Sequence, residues 1–197
     1  MRAALYLCIT LLIAGCGPTL APAAAITPAP SQGPASATRV EQPPVTPPTA
    51  PGTNLPAFAC ADASGGKTGV ANVVTARVAA QTGYDRFVLQ FDTLVPSYTV
   101  KRQPTPAFPL GGSGQTITLS GTSGVLVRIH SATGANTFTG SNDITHNEYP
   151  VLKEARQTED FEGYVSWGLG LGKAACMRTF TLADPPRLIV DFSTASS

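Results

Sequence analysis

The amino-acid sequence predicts an all-β fold, an antiparallel two-sheet β-sandwich of about eight strands, for residues 58–197. Three observations predict it. Short runs rich in β-branched and aromatic residues recur about every ten residues, and turns that contain Gly or Pro separate them. Several runs alternate between apolar and polar positions, as a half-buried strand does. No segment of this region has the pattern of a capped amphipathic helix of about ten residues or more.

The expected strands follow one another along the chain. They cover residues 70–78, 86–92, 98–102, 115–120, 125–131, 151–157, 164–171, 176–182 and 187–192. Within 86–92, Phe87, Leu89 and Phe91 share one face, and the polar residues between them share the other. Gly121 and Gly124 predict a hairpin between two of the runs, and we expect loops at 103–114 and 132–149.

The first 15 residues predict an export signal. Arg2 supplies one positive charge before an uncharged apolar run at residues 3–13, which is too short to cross a bilayer core about 30 Å thick. The ending Ile-Ala-Gly-Cys resembles a bacterial lipobox, which implies cleavage after Gly15 and attachment of diacylglycerol to the Cys16 sulfur. The alternative is an ordinary secretory signal that happens to contain a cysteine. We therefore expect an extracytoplasmic protein of the cell envelope, anchored to a bacterial membrane by its N-terminal lipid.

Residues 16–57 predict a spacer between the lipidated Cys16 and the folded domain. Residues 17–57 hold 11 prolines among Ala, Thr and Ser, and Arg39 and Glu41 are their only charged residues. Such a composition buries too little apolar surface to offset the entropy of ordering, so we expect an extended segment with polyproline character. The chain is thus divided into a signal at 1–15, a tether at 16–57 and one domain at 58–197.

The charge balance excludes several classes of partner. Loss of Arg2 with the signal leaves 12 basic residues from 13, which equals the 12 acidic residues. Nucleic-acid binding requires a cluster of Lys and Arg that this sequence lacks. The membrane attachment must then come from the lipid rather than from attraction to anionic headgroups. No motif indicates a small-molecule cofactor.

Two cysteines remain for the domain after Cys8 is removed with the signal and Cys16 takes the lipid. In an oxidising compartment we expect Cys60 and Cys176 to form a disulfide, although two separate buried thiols are the alternative. A metal site is not expected, because the sequence has no C-x-x-C motif and its two histidines lack the spacing of metal ligands.

Six segments together resemble a known family. They are GYDRFV at 83–88, FD at 91–92, PSYTV at 96–100, VLVRI at 125–129, DFEGYVSWGLGL at 160–171 and FTLADPPRLIVDF at 180–192. In this order they are similar to the AMIN-like domain of bacterial secreted lipoproteins and, more distantly, to the AMIN module of cell-wall amidases and secretin subunits. The resemblance spans about residues 69–192. It implies a two-sheet β-sandwich that binds peptidoglycan or another envelope component. It brings no catalytic motif to these positions, so we expect no enzyme.

Several local motifs imitate chemistry without its structural setting. The loop at 64–69 ends like a phosphate-binding loop, yet it lacks the first glycine and a following helix, so we expect a flexible polar loop. The glycines at 168–172 resemble a dinucleotide loop, but a glycine-bearing strand fits the context better. The acidic and histidine residues of 143–148, and the carboxylates at 160–162, are expected to be solvated charges. Trp167 falls on the core face of its run.

Polar side chains on the outward faces of the predicted strands are the candidate ligand-binding residues. They are Arg86, Gln90, Arg128, His130, Arg187 and Asp191. If their strands are neighbours, these groups form one face that can bind carboxylates and sugar hydroxyls. Ordinary exposed residues are the alternative, as are ion pairs of Arg86 with Asp191 or of Arg187 with Asp92. We expect a lipid-anchored binding module for peptidoglycan or an envelope partner. The alternative is a structural or assembly lipoprotein that binds a protein partner through a sheet edge or the loop at 132–149.

Overall fold

The computed structural model describes residues 54–195, which form thirteen β-strands and no helix. The strands are β1 (Ala63–Gly65), β2 (Ala71–Gln81), β3 (Tyr84–Phe91), β4 (Tyr98–Gln103), β5 (Ala107–Pro109), β6 (Thr116–Thr118), β7 (Ser123–His130), β8 (Ala132–Thr133), β9 (Asp143–Thr145), β10 (Leu152–Phe161), β11 (Tyr164–Leu171), β12 (Met177–Ala183) and β13 (Pro186–Ser193). The predicted signal, Cys16 and the spacer as far as residue 53 lie outside the described residues. None of the described residues belongs to a helix that could cross a membrane.

The all-β prediction is confirmed, but the predicted numbers of sheets and strands were wrong. The described residues form a six-stranded sheet in the order β1-β4-β7-β11-β10-β9, a five-stranded sheet in the order β12-β13-β3-β2-β8, and a two-stranded sheet of β5 and β6. Each of the nine predicted ranges contains a strand. The four strands that were missed, β1, β5, β8 and β9, have only two or three residues, which is too short for an alternating pattern. The β2–β8 pairing is parallel rather than antiparallel.

The hairpin predicted around Gly121 is also wrong. β6 pairs with β5, while β7 has β4 on one edge and β11 on the other. Because both edges of β7 are occupied, β6 cannot join it. Two short strands, β8 and β9, likewise lie inside the predicted loop at 132–149. Each error concerns a choice of strand partner, which the local sequence does not record.

The hydrophobic core lies between the two large sheets. Phe87, Leu89 and Phe91 of β3 are fully buried there, as the alternation predicts. Trp167 of β11 faces them from the other sheet, with its ring centroid 5.6 Å from that of Phe87, so its prediction as a core residue is confirmed. Asp85, also buried, accepts hydrogen bonds from the backbone amides that lead into β10, at 2.6 and 2.9 Å, and thus ties the five-stranded sheet to the six-stranded sheet.

The predicted disulfide between Cys60 and Cys176 is present. It joins the segment before β1 to the start of β12. Next to it Ala59 and Met177 exchange two backbone hydrogen bonds, at 2.8 and 2.9 Å. The disulfide and these bonds place the first described residues against the five-stranded sheet.

The β5–β6 hairpin lies over part of the outer face of the six-stranded sheet. Phe108 of this hairpin is fully buried, and a Cβ atom placed on Gly168 would lie 2.7 Å from its ring. A Cβ atom on Gly170 would collide with the carbonyl oxygen of Ser120. The glycines of β11 therefore make room for the hairpin, and the prediction of a glycine-bearing strand is confirmed.

Candidate functional site

The six predicted ligand residues lie on two faces rather than on one. Four of them, Arg86, Gln90, Arg187 and Asp191, belong to β3 and β13 of the five-stranded sheet. Arg128 and His130 belong to β7 of the six-stranded sheet. All six positions alternate with core residues, so each group faces outward from its own sheet. Because the core separates the two sheets, the expectation of a single shared face is not met.

The outer face of the five-stranded sheet holds a closed cluster of charged groups around Asp191. Arg86 binds this carboxylate with two nitrogens, at 2.6 and 2.9 Å, and Arg178 binds it with Nε at 2.7 Å. The Asp191 side chain is fully buried. Its hydrogen bond to Arg86 raises the pKa of that guanidinium above its ordinary value. The cross-strand ion pair that the sequence left as an alternative is thus present.

Aromatic rings cover this charged cluster. The Arg178 guanidinium carbon lies 4.5 Å from the ring centroid of Phe58 and 4.7 Å from that of Tyr84. The same carbon of Arg86 lies 5.1 Å from the Tyr84 ring and 5.6 Å from that of Phe180. Both cations are thus occupied by one buried carboxylate and flanked by rings, which is the arrangement of a packing contact.

The other two residues on this face have separate partners. Gln90 accepts a hydrogen bond from Arg77 at 2.8 Å. Arg187 lies opposite Gln90 and donates to the backbone oxygen of Pro185 at 3.2 Å. The alternative ion pair of Arg187 with Asp92 is wrong, because Asp92 accepts from the backbone and side chain of Asn72 instead, at 2.9 and 2.7 Å. The backbone bond from Asn72 is the main reason that the pKa of Asp92 lies below its ordinary value.

On the six-stranded sheet, three aromatic residues occupy paired positions on β7, β11 and β10. His130 pairs with Tyr164, and Tyr164 pairs with Phe161. We call these three residues the aromatic row. Tyr164 is 37% exposed and Phe161 is 56% exposed, whereas His130 contacts the Tyr164 ring edge-on with centroids 5.0 Å apart. The row thus presents ring surface to solvent at one end of the sheet.

The next positions inward on the same three strands form a polar row of Arg128, Ser166 and Glu159. Glu159 accepts hydrogen bonds from Nη2 of Arg128 at 2.8 Å and from the Ser166 hydroxyl at 2.7 Å. The Arg128 guanidinium carbon also lies 4.8 Å from the Tyr164 ring centroid, so the two rows touch. The Arg128 side chain keeps 42% of its surface exposed, while Glu159 keeps 14%.

A β-bulge places Glu159 in the polar row. The pairing register of β10 with β11 shifts between Gln157 and Glu159, which leaves Thr158 without a partner in β11. Glu159 is therefore opposite Ser166, on the outer face. The backbone amide of Gly111 in the β5–β6 connection donates to the Thr158 oxygen at 2.9 Å and brings that connection over Glu159.

A cleft of about 260 Å³ lies between the β5–β6 hairpin and the polar row. Its walls include Leu110, Gly111, Arg128, Glu159 and Ser166. Charged and hydroxyl residues line the sheet side of the cleft, and Pro109, Leu110 and glycines line the hairpin side. A polar ligand in this cleft could hydrogen-bond to the polar row and at the same time contact the aromatic row.

The remaining candidate motifs do not form a comparable site. His146 Nδ1 lies 2.6 Å from Glu148 Oε1, and this hydrogen bond lowers the pKa of the exposed Glu148 carboxyl. Asp143 pairs instead with Arg156 at 3.2 Å. Within residues 54–195, no three His, Cys, Asp or Glu side chains are grouped as a metal site. The loop at 64–69 begins in β1, and the Lys67 amide donates to the Val95 oxygen at 2.9 Å.

Sequence reasoning missed part of the site on the six-stranded sheet. With Trp167 on the core face of β11, alternation puts Tyr164 and Ser166 on the outer face, but no local signal connects them with Arg128. Glu159 had no signal of its own, because the bulge before it changes which residues of β10 face outward. Only the pairing of β7, β11 and β10 brings the two rows together.

Comparison with known proteins supports the family resemblance. A family model described as AMIN-like domain matches residues 71–194, which include both outer faces. No curated protein matches the chain.

Proposed function

This chain belongs to the AMIN-like domain family, and on this premise we propose that it binds peptidoglycan in the bacterial cell envelope without catalysis. An AMIN-like domain suggests a module that binds peptidoglycan or another envelope component.

The observation that carries the proposal is the open face at Tyr164. An exposed ring beside Arg128 and Glu159 combines a flat apolar surface with hydrogen-bonding groups. Sugar polymers need both, since their rings have apolar faces and their edges carry hydroxyl and amide groups. Arg86, Gln90, Arg187 and Asp191 stay candidate ligand residues of the other sheet, but the buried pairing of Asp191 supports a structural role there.

We propose that Cys16 carries the lipid and that residues 17–57 hold the domain away from the membrane. These 41 residues could extend roughly 120 Å at about 3.1 Å per residue, and much less on average. Replacement of Cys16 by Ser should abolish incorporation of radiolabelled palmitate and release the protein from washed membranes. Incorporation that is unchanged in this variant would reject the anchor.

The test of peptidoglycan binding is co-sedimentation of the full-length protein, purified in detergent, with isolated sacculi. We expect sedimentation that saturates with protein concentration and weakens about tenfold in Arg128→Ala, because the polar row loses its charged donor. Arg77→Ala is the matched control, since Arg77 is an exposed arginine on the other sheet with one neutral partner. Wild-type protein that stays in the supernatant at every concentration would reject the proposal.

A protein partner is the second candidate, and the edge of β12 favours it. Within the described part of the chain, only Ala59 pairs with the outer edge of this strand, and Leu182 there is 38% exposed. Another chain could add a strand at such an edge. The segment 132–149, the other candidate surface, is exposed at most of its positions, and Thr137 and Thr139 attach it to the backbone of β2. A partner recovered from detergent-solubilised membranes with the wild type but lost with Leu182→Lys would support this role.

A further inference from the structure

We propose that the aromatic row and the polar row form one subsite for an acidic sugar, whose ring stacks on Tyr164 while its carboxylate binds Arg128. This inference rests on the proposed function, and it names the part of the polymer that the face would recognise. In peptidoglycan the sugar of this chemistry is the muramic acid unit of a glycan strand from which the stem peptide has been removed. Its ether-linked lactyl group then carries a free carboxylate, whereas an attached stem converts that group to an amide.

The aromatic row has the shape for sugar stacking. His130, Tyr164 and Phe161 occupy three neighbouring strands, which lie about 4.8 Å apart, so the row extends over about 10 Å. That length fits two linked sugar rings. The Arg128 guanidinium lies over the Tyr164 ring, and His130 contacts that ring edge-on, so both groups orient it. An oriented ring loses little entropy when it stacks on a ligand.

Arg128 has donors left for a carboxylate. Of its five N–H groups, the hydrogen bonds of residues 54–195 use one on Nη2, which donates to Glu159, and Nε is buried without a partner. The outer edge of the guanidinium, Nη1 with the second N–H of Nη2, is therefore the part left for a carboxylate. Nearly half of the side chain is exposed, and a guanidinium binds a carboxylate through two parallel hydrogen bonds. Lys101, exposed one strand away on the same face, adds a second cation for an anionic ligand.

Glu159 and Ser166 add selectivity around the ring. Glu159 accepts from both neighbours and can also accept from a sugar hydroxyl or amide, because an ionised carboxylate has about four acceptor positions. The cleft beside it, about 260 Å³ in volume, has room for a ring substituent under the hairpin. The ligand would therefore lie along the aromatic row with its substituents directed toward the cleft.

The test is calorimetric titration of the full-length protein in detergent with three soluble probes. They are the disaccharide of N-acetylglucosamine and N-acetylmuramic acid, the same disaccharide with its carboxylate converted to an amide, and neutral chitobiose. We expect the acid to bind about tenfold more tightly than the amide or chitobiose. Arg128→Gln should remove this difference but keep binding of the amide, and Tyr164→Ala should weaken all three probes. Arg77→Gln, on the other sheet, should match the wild type.

Each outcome decides between the subsite and the wider proposal. If the protein sediments with sacculi but binds the acid and the amide equally, or binds neither, the subsite is rejected and peptidoglycan binding stands. If it fails to sediment with sacculi at all, the proposed function falls as well. Because Arg128→Gln must still bind the amide, loss of all binding in that variant would indicate damage to the fold. In that case Arg128→Lys tests the contact, because lysine keeps the charge but cannot make two parallel hydrogen bonds. If this variant prefers the acid as strongly as the wild type does, the bidentate contact is rejected.

Discussion

Each of the two outer faces carries a cross-strand pair of an arginine and a carboxylate, but the pairs differ in burial. Asp191 is fully buried and bound by two arginines, whereas Glu159 is 14% exposed and its partner Arg128 is 42% exposed. Rings cover the first cluster, while Tyr164 beside the second is open to solvent. The same pair of residue types is thus enclosed on one face and accessible on the other.

This difference teaches that burial, rather than residue type, separates a structural ion pair from a candidate ligand site. A buried carboxylate that loses its cations, or cations that lose their carboxylate, are left without compensation in a poorly solvated place. An exposed pair contributes little to stability, and its donors remain accessible to a ligand.

Removal of the disulfide should give the largest loss of unfolding free energy. It affects the contacts of the five-stranded sheet. Cys60 and Cys176 close a loop with a sequence separation of 116 residues, and they hold Phe58 near Arg178. Replacement of both cysteines by Ser should lower the free energy of unfolding by about 4 kcal/mol, measured by urea denaturation. Wild-type protein in reducing agent should show the same loss. A loss below about 1 kcal/mol would show that the crosslink does not stabilise this side.

Neutralising the carboxylate of each ion pair should lower the unfolding free energy by different amounts on the two faces. Asp191→Asn leaves Arg86 and Arg178 without their carboxylate and should cost about 3 kcal/mol of unfolding free energy. Glu159→Gln should cost less than about 1 kcal/mol, because Arg128 can be solvated. Urea denaturation of both variants under the same conditions makes the comparison. Equal losses would break the contrast between the two faces.

Addition of a methyl group should distinguish the covered part of the six-stranded sheet from an open turn of the other sheet. Gly170→Ala pushes against the backbone at Ser120 and should cost about 1–3 kcal/mol, since that backbone cannot move freely. Gly83→Ala, in the turn from β2 to β3, meets no atom within 4 Å and carries only the cost of its φ of +87°, about 1 kcal/mol. Thermal denaturation measures both, and a larger loss for Gly83→Ala would contradict the packing of the hairpin.

The smallest effect concerns the pH dependence of stability at Asp92. Since its pKa in the folded protein is lowered, ionised Asp92 stabilises the fold above its unfolded pKa of about 3.9, and this contribution disappears as the pH falls through the folded value. Asp92→Asn should therefore be less stable than the wild type at pH 7, and the gap between them should narrow as the pH falls from the unfolded pKa toward the folded one. Because Asp92 is exposed, the difference will be small. Urea midpoints from pH 3 to pH 7 measure it, and a gap that widens toward acid would contradict the sign.

Much of the fold could be predicted because its signals are local. The alternation of Phe87, Leu89 and Phe91 identified the core face of β3, and Trp167 identified that of β11. The sequence predicted that the glycines of β11 lie in a strand. Only the position of Phe108 explains why Gly168 has no side chain, since a Cβ atom there would collide with the Phe108 ring. The candidate site was predicted only in part, since Arg128 and His130 were named as ligand residues but Glu159, Tyr164 and Phe161 were not.

Side-chain period and turn residues act over a few neighbours, so the sequence alone shows that the domain is all-β, where its long strands run and which side chains they bury. The assembled fold was needed to show that β3 and β13 lie on one sheet and β7 on the other, and that a bulge turns Glu159 toward Arg128. Strand pairing is a choice between distant segments of similar pattern. It is settled by which edges are occupied and which faces can be buried together, and no local stretch of residues contains that information.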